Sequence, residues 1–142
     1  MPNHFHLLVK QLEKGSMEGF MRSLATRYSM YFNKKYSRVG SLFQSIYKAV
    51  MVSDDNYLLH LSRYIHLNPS EYTNDLTSAY SSYADYLEIR KTSWVPTKTI
   101  LSFFNQAKGD FIKGHNTYKS FVESSNKSSS SVLDNLTLEE NE

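Results

Sequence analysis

The chain has no cysteine among its 142 residues, so disulfides and thiolate metal sites are excluded. It also lacks an apolar run of about 20 residues, the length that a transmembrane helix requires, and it shows no signal-peptide pattern. A phosphate-binding glycine-rich loop and a zinc-type His-Glu-x-x-His helix are missing too. These absences favour a cytoplasmic protein that is not a P-loop nucleotide enzyme, and they leave a hydrolytic metalloenzyme as a weaker alternative.

Positive charge is concentrated in the first part of the chain. Residues 1–53 carry eight Lys/Arg and two Asp/Glu, whereas residues 54–142 carry eight Lys/Arg and twelve Asp/Glu. A basic segment in a chain of net charge +2 indicates a surface that faces a polyanion. The eleven tyrosines would suit stacking on unpaired bases. The alternative for each tyrosine is a half-buried position in the core.

Two histidines near the start flank a single apolar residue. His4 and His6 lie on either side of Phe5, and an apolar, β-branched run follows them to Val9. This pattern predicts a β-strand, in which residues i and i+2 point to the same face. Two neighbouring imidazoles can hold one divalent metal ion. The alternative is a partly exposed histidine pair with no ligand.

Helical periodicity follows between about residues 17 and 35. Ser16 is predicted as the N-cap, and an apolar residue recurs every three or four positions with one face expected to be buried. Basic residues on and after this helix predict contacts with a nucleic-acid backbone, although a solvated helix face would explain them equally well. These candidates are Arg22, Arg27, Lys34, Lys35, Arg38 and Lys48.

A second helix is predicted from about residue 55 to residue 68, after a second candidate strand at residues 42–52. Either Asp54 or Asp55 could cap it. Its core side is marked by Leu58, Leu61 and Ile65. A neighbouring stripe at i, i+4 and i+8 carries a histidine, a tyrosine and an asparagine that could point together at a ligand. The stripe consists of His60, Tyr64 and Asn68.

Beyond this helix the periodicity is shorter. Loops and helical turns with aromatic anchors are predicted at residues 70–100, and short helices at residues 97–104 and 116–123. Residues 124–142 are rich in serine and end in acidic residues, which predicts a disordered tail.

Several segments, taken in order, resemble the REP-associated tyrosine transposases (transposase-17-like proteins) of the single-tyrosine HUH nuclease superfamily. The resemblance spans residues 1–123. It is carried by the segments at residues 1–9 (MPNHFHLLV), 40–44 (GSLFQ), 54–58 (DDNYL), 63–69 (RYIHLNP), 80–83 (YSSY), 94–95 (WV) and 118–122 (YKSFV).

The resemblance implies an α+β fold, a ferredoxin-like antiparallel sheet with packed helices. Residues 1–123 would form one HUH transposase-like domain, with residues 90–123 as a helical C-terminal extension. In that family a strand and a helix precede the histidine strand, so the chain is expected to be truncated at its N-terminus.

The resemblance also implies a reaction. Tyr64 would attack single-stranded or hairpin DNA and form a 5′-phosphotyrosine, with Mg²⁺ or Mn²⁺ held by His4, His6 and Asn68. His60 is an alternative ligand. A nucleoid-associated transposase with no membrane partner is expected, and its oligomeric state stays open. The competing hypothesis is a truncated remnant that binds nucleic acid without catalysis.

Overall fold

Helices make up the regular structure of the part of the chain that the computed structural model describes, residues 4–105 and 114–124. These residues form two units. The tyrosine-helix unit comprises the described residues of Met1–His6 and Met51–Glu142, and the basic unit comprises Leu7–Val50. The elements in chain order are α1 (Ser16–Lys35), α2 (Asp55–Leu67), a 3₁₀ helix (Asn68–Glu71), α3 (Tyr83–Tyr86), α4 (Lys98–Asn105) and α5 (Tyr118–Glu123). Except for Ser124, the predicted tail lies outside the described residues.

The predicted ferredoxin-like sheet is wrong for the described residues, because none of them forms a β-strand. The two candidate strands, at residues 4–9 and 42–52, are irregular segments. Their apolar side chains are largely exposed, as at Val9 (44%) and Ile46 (85%). A strand needs a neighbour to satisfy its backbone and a packed face to bury, and two strands alone are marginal in water.

Helix α1 begins one residue earlier than predicted. Gly15 takes the cap position with a φ of 81°, in the left-handed region that glycine adopts without strain. The prediction that Ser16 caps the helix is wrong, because its hydroxyl donates to the Glu13 carbonyl at 2.8 Å. None of the twenty residues of α1 is buried, so the predicted buried face is also wrong within the described structure.

Helix α2 confirms the sequence prediction at both ends. The Asp54 carboxylate accepts from the Tyr57 backbone N–H at 2.8 Å, which identifies Asp54 as the N-cap. This hydrogen bond, with a second from Ser53, holds the pKa of Asp54 below its usual value. The helix gives way to the 3₁₀ turn at Asn68, because Pro69 has no N–H to continue the α-helical ladder.

The core of the tyrosine-helix unit lies between α2, α3, α4 and α5. Its buried apolar members are Leu59, Tyr83, Ile100, Tyr118, Phe121 and Val122. The side of α2 that is buried differs from the side that the sequence predicted. Leu59, Ser62 and His66 are buried, whereas Leu58, Leu61 and Ile65 are half-buried.

Two polar residues can occupy the buried side of α2 because hydrogen bonds satisfy them. His66 Nδ1 lies 2.7 Å from the Tyr118 hydroxyl, and His66 Nε2 lies 2.8 Å from Ser82 Oγ. The Tyr118 hydroxyl donates to Ser62 Oγ at 3.2 Å, and Ser62 donates to the Leu59 carbonyl at 2.8 Å. A buried polar group is stable when it is paired in this way.

Candidate active site

Helix α2 displays the predicted stripe of polar side chains. His60 and Tyr64 are one turn apart on the helix, and Asn68 follows as its C-cap, with its backbone N–H donating to the Tyr64 carbonyl. All three residues are half-buried. Residues four apart on a helix lie on the same face, so the stripe is a consequence of sequence spacing once the helix forms.

The two N-terminal histidines and Tyr64 lie together within the tyrosine-helix unit. The ring centroids of His4 and His6 are 5.2 Å apart, with the planes at 89°. The ring centroids of His6 and Tyr64 are 5.7 Å apart, with the planes at 74°. Both contacts are edge-to-face. His6 and Tyr64, which are 58 positions apart in the sequence, therefore meet, as the strand-and-helix interpretation required, although the histidine segment is not a strand.

The side-chain amide of Asn68 has a buried nitrogen, Nδ2, without a hydrogen-bond partner in the described residues. A buried amide left unpaired costs free energy, about 1–3 kcal/mol, that a ligand could recover. The oxygen and nitrogen of an asparagine amide exchange places by a half-turn of the side chain. That turn would present a carbonyl oxygen, a ligand that Mg²⁺ and Mn²⁺ accept, at the same position.

His60 has a different role in the stripe. Arg63 donates from its NH2 group to His60 Nδ1 at 2.9 Å, and the guanidinium stacks on Phe121 with 4.6 Å between Cζ and the ring centroid. Burial, together with the charge of Arg63, lowers the pKa of His60, which favours the neutral imidazole. Sequence reasoning gave no role to Arg63 or Phe121. The i, i+3 spacing of His60 and Arg63 was the available signal.

A divalent ion fits this donor set if substrate and water supply most of its ligands. Within the described residues, no group of three or more His, Asp or Glu side chains converges on one point. The protein could therefore offer the imidazoles of His4 and His6 together with the amide of Asn68. Mg²⁺ commonly keeps several waters and binds substrate phosphate oxygens, so a site with few protein ligands suits it.

The six predicted phosphate contacts all lie in the basic unit. Four are on α1, and all six are exposed. Aromatic rings accompany some of them. The Lys35 ammonium lies 5.7 Å from the Tyr31 ring centroid and 5.4 Å from that of Tyr36, and the hydrogen bond that it donates to Tyr31 raises the pKa of Lys35. Arg38 lies over Phe32 at 5.6 Å. These six residues are Arg22, Arg27, Lys34, Lys35, Arg38 and Lys48.

Comparison with protein families gives a match over the first part of the chain. Residues 1–68 match the family model described as "Transposase IS200 like". The matched segment contains both histidines and Tyr64 and ends on Asn68. No curated protein and no solved structure matches the chain. The described helices include none that is long and apolar enough to span a bilayer. The match confirms the resemblance to single-tyrosine HUH transposases, while the REP-associated subfamily stays a prediction.

Proposed function

We propose that this chain, whose first 68 residues match IS200-like transposases, cleaves and rejoins single-stranded DNA through a phosphotyrosine at Tyr64. The observation that carries the proposal is the cluster of His4, His6 and Tyr64, with ring centroids 5.2 and 5.7 Å apart. A phenol beside two imidazoles supplies a nucleophile next to donors for a cation. Because transposases act on DNA, the family match supports DNA as the substrate of this cluster.

The chemistry follows from the phenol. The Tyr64 oxygen would attack the phosphorus of one phosphodiester, form a 5′-phosphotyrosine with the DNA on the 3′ side of the break, and expel the 3′ oxygen of the DNA on the other side. The phenol releases its proton to solvent, and the expelled 3′ oxygen takes up a proton from solvent to become a hydroxyl. The covalent bond conserves the free energy of the broken linkage, so a second 3′-hydroxyl can reverse the step on another DNA end. A transferase therefore benefits from a tyrosine where a hydrolase would activate water.

His4, His6 and Asn68 would hold Mg²⁺ or Mn²⁺. When bound, such an ion neutralises charge on a phosphodiester that otherwise repels the nucleophile. The edge-to-face contact with His6 restrains the ring of Tyr64. The Asn68 backbone N–H donates to the Tyr64 carbonyl, so the backbone positions of the two residues keep a constant spacing.

The basic unit would bind the DNA backbone. Its exposed cations can neutralise phosphates, and rings such as those of Tyr31 and Tyr36 beside Lys35 can stack on unpaired bases. This combination suits a single strand or a hairpin end better than a duplex, whose bases are already stacked. Sequence preference would come from contacts that phosphate binding does not supply.

Cleavage of a labelled hairpin oligonucleotide tests the proposal. The unchanged chain should nick the strand with Mn²⁺ or Mg²⁺ and be inactive with a chelator. His4→Ala and His6→Ala should each abolish nicking, while Lys98→Ala, which removes an exposed side chain outside the cluster, should leave it intact. Salt-sensitive binding without any nicking would contradict the transferase and support the non-catalytic remnant.

A further inference from the structure

We propose that Phe121, Arg63 and His60 form a positioning relay through which α5 fixes the orientation of Tyr64. This inference rests on the proposed function, since it assigns the relay to the nucleophile of that reaction. It gives His60 a supporting role in place of metal binding. It also makes the C-terminal extension, which lies outside the segment matched to transposases, a working part of the site.

The direction of the His60 hydrogen bond determines its tautomer. A guanidinium can only donate, so His60 Nδ1, at 2.9 Å from Arg63 Nη2, must accept. A neutral imidazole with an accepting Nδ1 carries its hydrogen on Nε2. That nitrogen then has no lone pair to give to a cation. The Arg63 contact therefore removes His60 from the set of metal ligands.

Arg63 is itself held in place by a contact with α5. Its guanidinium lies 4.6 Å from the ring centroid of Phe121, which is completely buried at the centre of α5. An arginine stacked on a buried ring has little freedom to swing towards a phosphate. Its side chain is half-buried, unlike those of the exposed cations of the basic unit. Arg63 is therefore better placed to support His60 than to bind DNA.

Helix geometry brings the support to Tyr64. Side chains on an α-helix tilt towards its N-terminus, so helix geometry is expected to direct the Tyr64 ring over the preceding turn, where His60 lies. His60 and His6 would then restrain the ring from two sides, His6 through the observed edge-to-face contact. A nucleophile must approach phosphorus in a narrow range of directions, and restraint of this kind raises the rate without adding binding energy.

The tautomer can be measured on the unchanged full-length chain. Long-range ¹H–¹⁵N correlation spectra, with the His60 signals identified by their loss in His60→Asn, distinguish a hydrogen on Nε2 from one on Nδ1. The relay requires the Nε2–H form of neutral His60. A hydrogen on Nδ1 would overturn the relay and leave the proposed transferase untouched, because no step of the reaction depends on His60.

Substitutions test the positioning role. Arg63→Met keeps the length of the side chain and loses the donor, and we expect the cleavage rate at saturating DNA to fall about 10- to 100-fold. DNA affinity and its salt dependence should not change. Lys98→Met, which removes an exposed cation from α4, is the control and should have no effect on the rate. A salt slope reduced by about 0.7 in Arg63→Met would mean a phosphate contact and would refute the relay.

His60 variants separate support from metal binding. His60→Asn keeps an acceptor near the position of Nδ1, whereas His60→Leu has none, so His60→Asn should retain much more of the cleavage rate. Both variants should bind Mn²⁺, followed by electron paramagnetic resonance, as tightly as the unchanged chain does. Loss of Mn²⁺ affinity in both would restore His60 as a ligand and overturn the proposal. Because tautomer and Mn²⁺ affinity are measured without DNA, these results stand even if the chain cleaves nothing.

Discussion

The His66 imidazole is hydrogen-bonded to the Tyr118 hydroxyl at 2.7 Å, across 52 positions of sequence. The hydroxyl of Ser62 is committed to the Leu59 carbonyl, so Tyr118 donates to Ser62 and must accept from His66 Nδ1–H. His66 Nε2 can then accept from Ser82. This set of bonds requires a neutral His66. It joins the helix that carries Tyr64 to the C-terminal extension.

Acid should therefore weaken the tyrosine-helix unit. Burial lowers the pKa of His66 to about 4, from an ordinary value of 6.5. Because the folded pKa lies below the unfolded one, the unfolded chain binds more protons between these values. Stability is complete above about pH 6.5 and falls as the pH drops towards 4, by about 3 kcal/mol in total. Urea denaturation at a series of pH values measures this loss.

The variant His66→Gln isolates this contribution. It removes the titrating group, so the number of protons taken up on unfolding between pH 6.5 and 4 should fall by about one, and the free energy of unfolding should depend less on pH. His115→Gln, at a half-buried histidine of the same unit, should keep the dependence. Equal slopes for the unchanged chain and His66→Gln would contradict a neutral, buried His66.

Removing the Tyr118 hydroxyl should destabilise the same unit. In Tyr118→Phe, the ring packing stays and the buried His66 Nδ1–H loses its acceptor, at a cost of about 1–3 kcal/mol. Tyr72→Phe, which alters a side chain 63% exposed, is the matched control and should change the free energy of unfolding by less than about 0.5 kcal/mol. Similar values for the two variants would show that the bond contributes nothing.

These buried polar contacts explain where sequence reasoning succeeded and failed on the fold. The limits of α2 were predictable because Asp54 and Pro69 are local signals. The buried side was not, because hydropathy assigns Ser62 and His66 to the surface. Their shared partner Tyr118 lies 56 and 52 positions away, and no local pattern shows such pairing. The two strands were expected from apolar and β-branched residues, a pattern that records a tendency but supplies no pairing partner, and the sheet was expected from the resemblance.

The capping box at the start of α5 should contribute to the free energy of unfolding. Thr117 Oγ1 accepts from the Ser120 N–H at 3.1 Å, and the Thr117 N–H donates to Ser120 Oγ at 3.3 Å. This capping box precedes Phe121, on which Arg63 stacks. Thr117→Ala should cost about 1 kcal/mol, whereas Thr117→Ser, which keeps the hydroxyl, should cost much less. Thermal unfolding compares them, and equal losses would argue against the cap.

DNA binding should depend on the end of α1. Replacing Lys34 and Lys35 with alanine should reduce the slope of log affinity against log salt by about 1.4 if each contacts one phosphate of a single strand. The matched control replaces Lys91 and Lys98, exposed cations of the tyrosine-helix unit. Fluorescence anisotropy at several salt concentrations gives the slopes. A slope that responds equally to both double variants would indicate general charge attraction.

The candidate site was more predictable than the fold. Helical spacing placed His60, Tyr64 and Asn68 on one stripe, and the i, i+2 rule placed His4 beside His6. The meeting of His6 with Tyr64 required the resemblance, because nothing in the spacing joins two distant segments. The link from Arg63 to Phe121 was hidden, since a cation–π contact leaves no periodic pattern in the sequence.

Formation of a covalent adduct tests the central claim most directly. The chain is incubated with Mn²⁺ and a single-stranded hairpin labelled on the 3′ side of the break, and the products are separated under denaturing conditions. The account predicts a labelled protein band, a DNA-linked peptide that contains Tyr64 by mass spectrometry, and no band for Tyr64→Phe. Tyr80→Phe, at a fully exposed tyrosine, should give the same band as the unchanged chain. An adduct that persists in Tyr64→Phe would contradict the account.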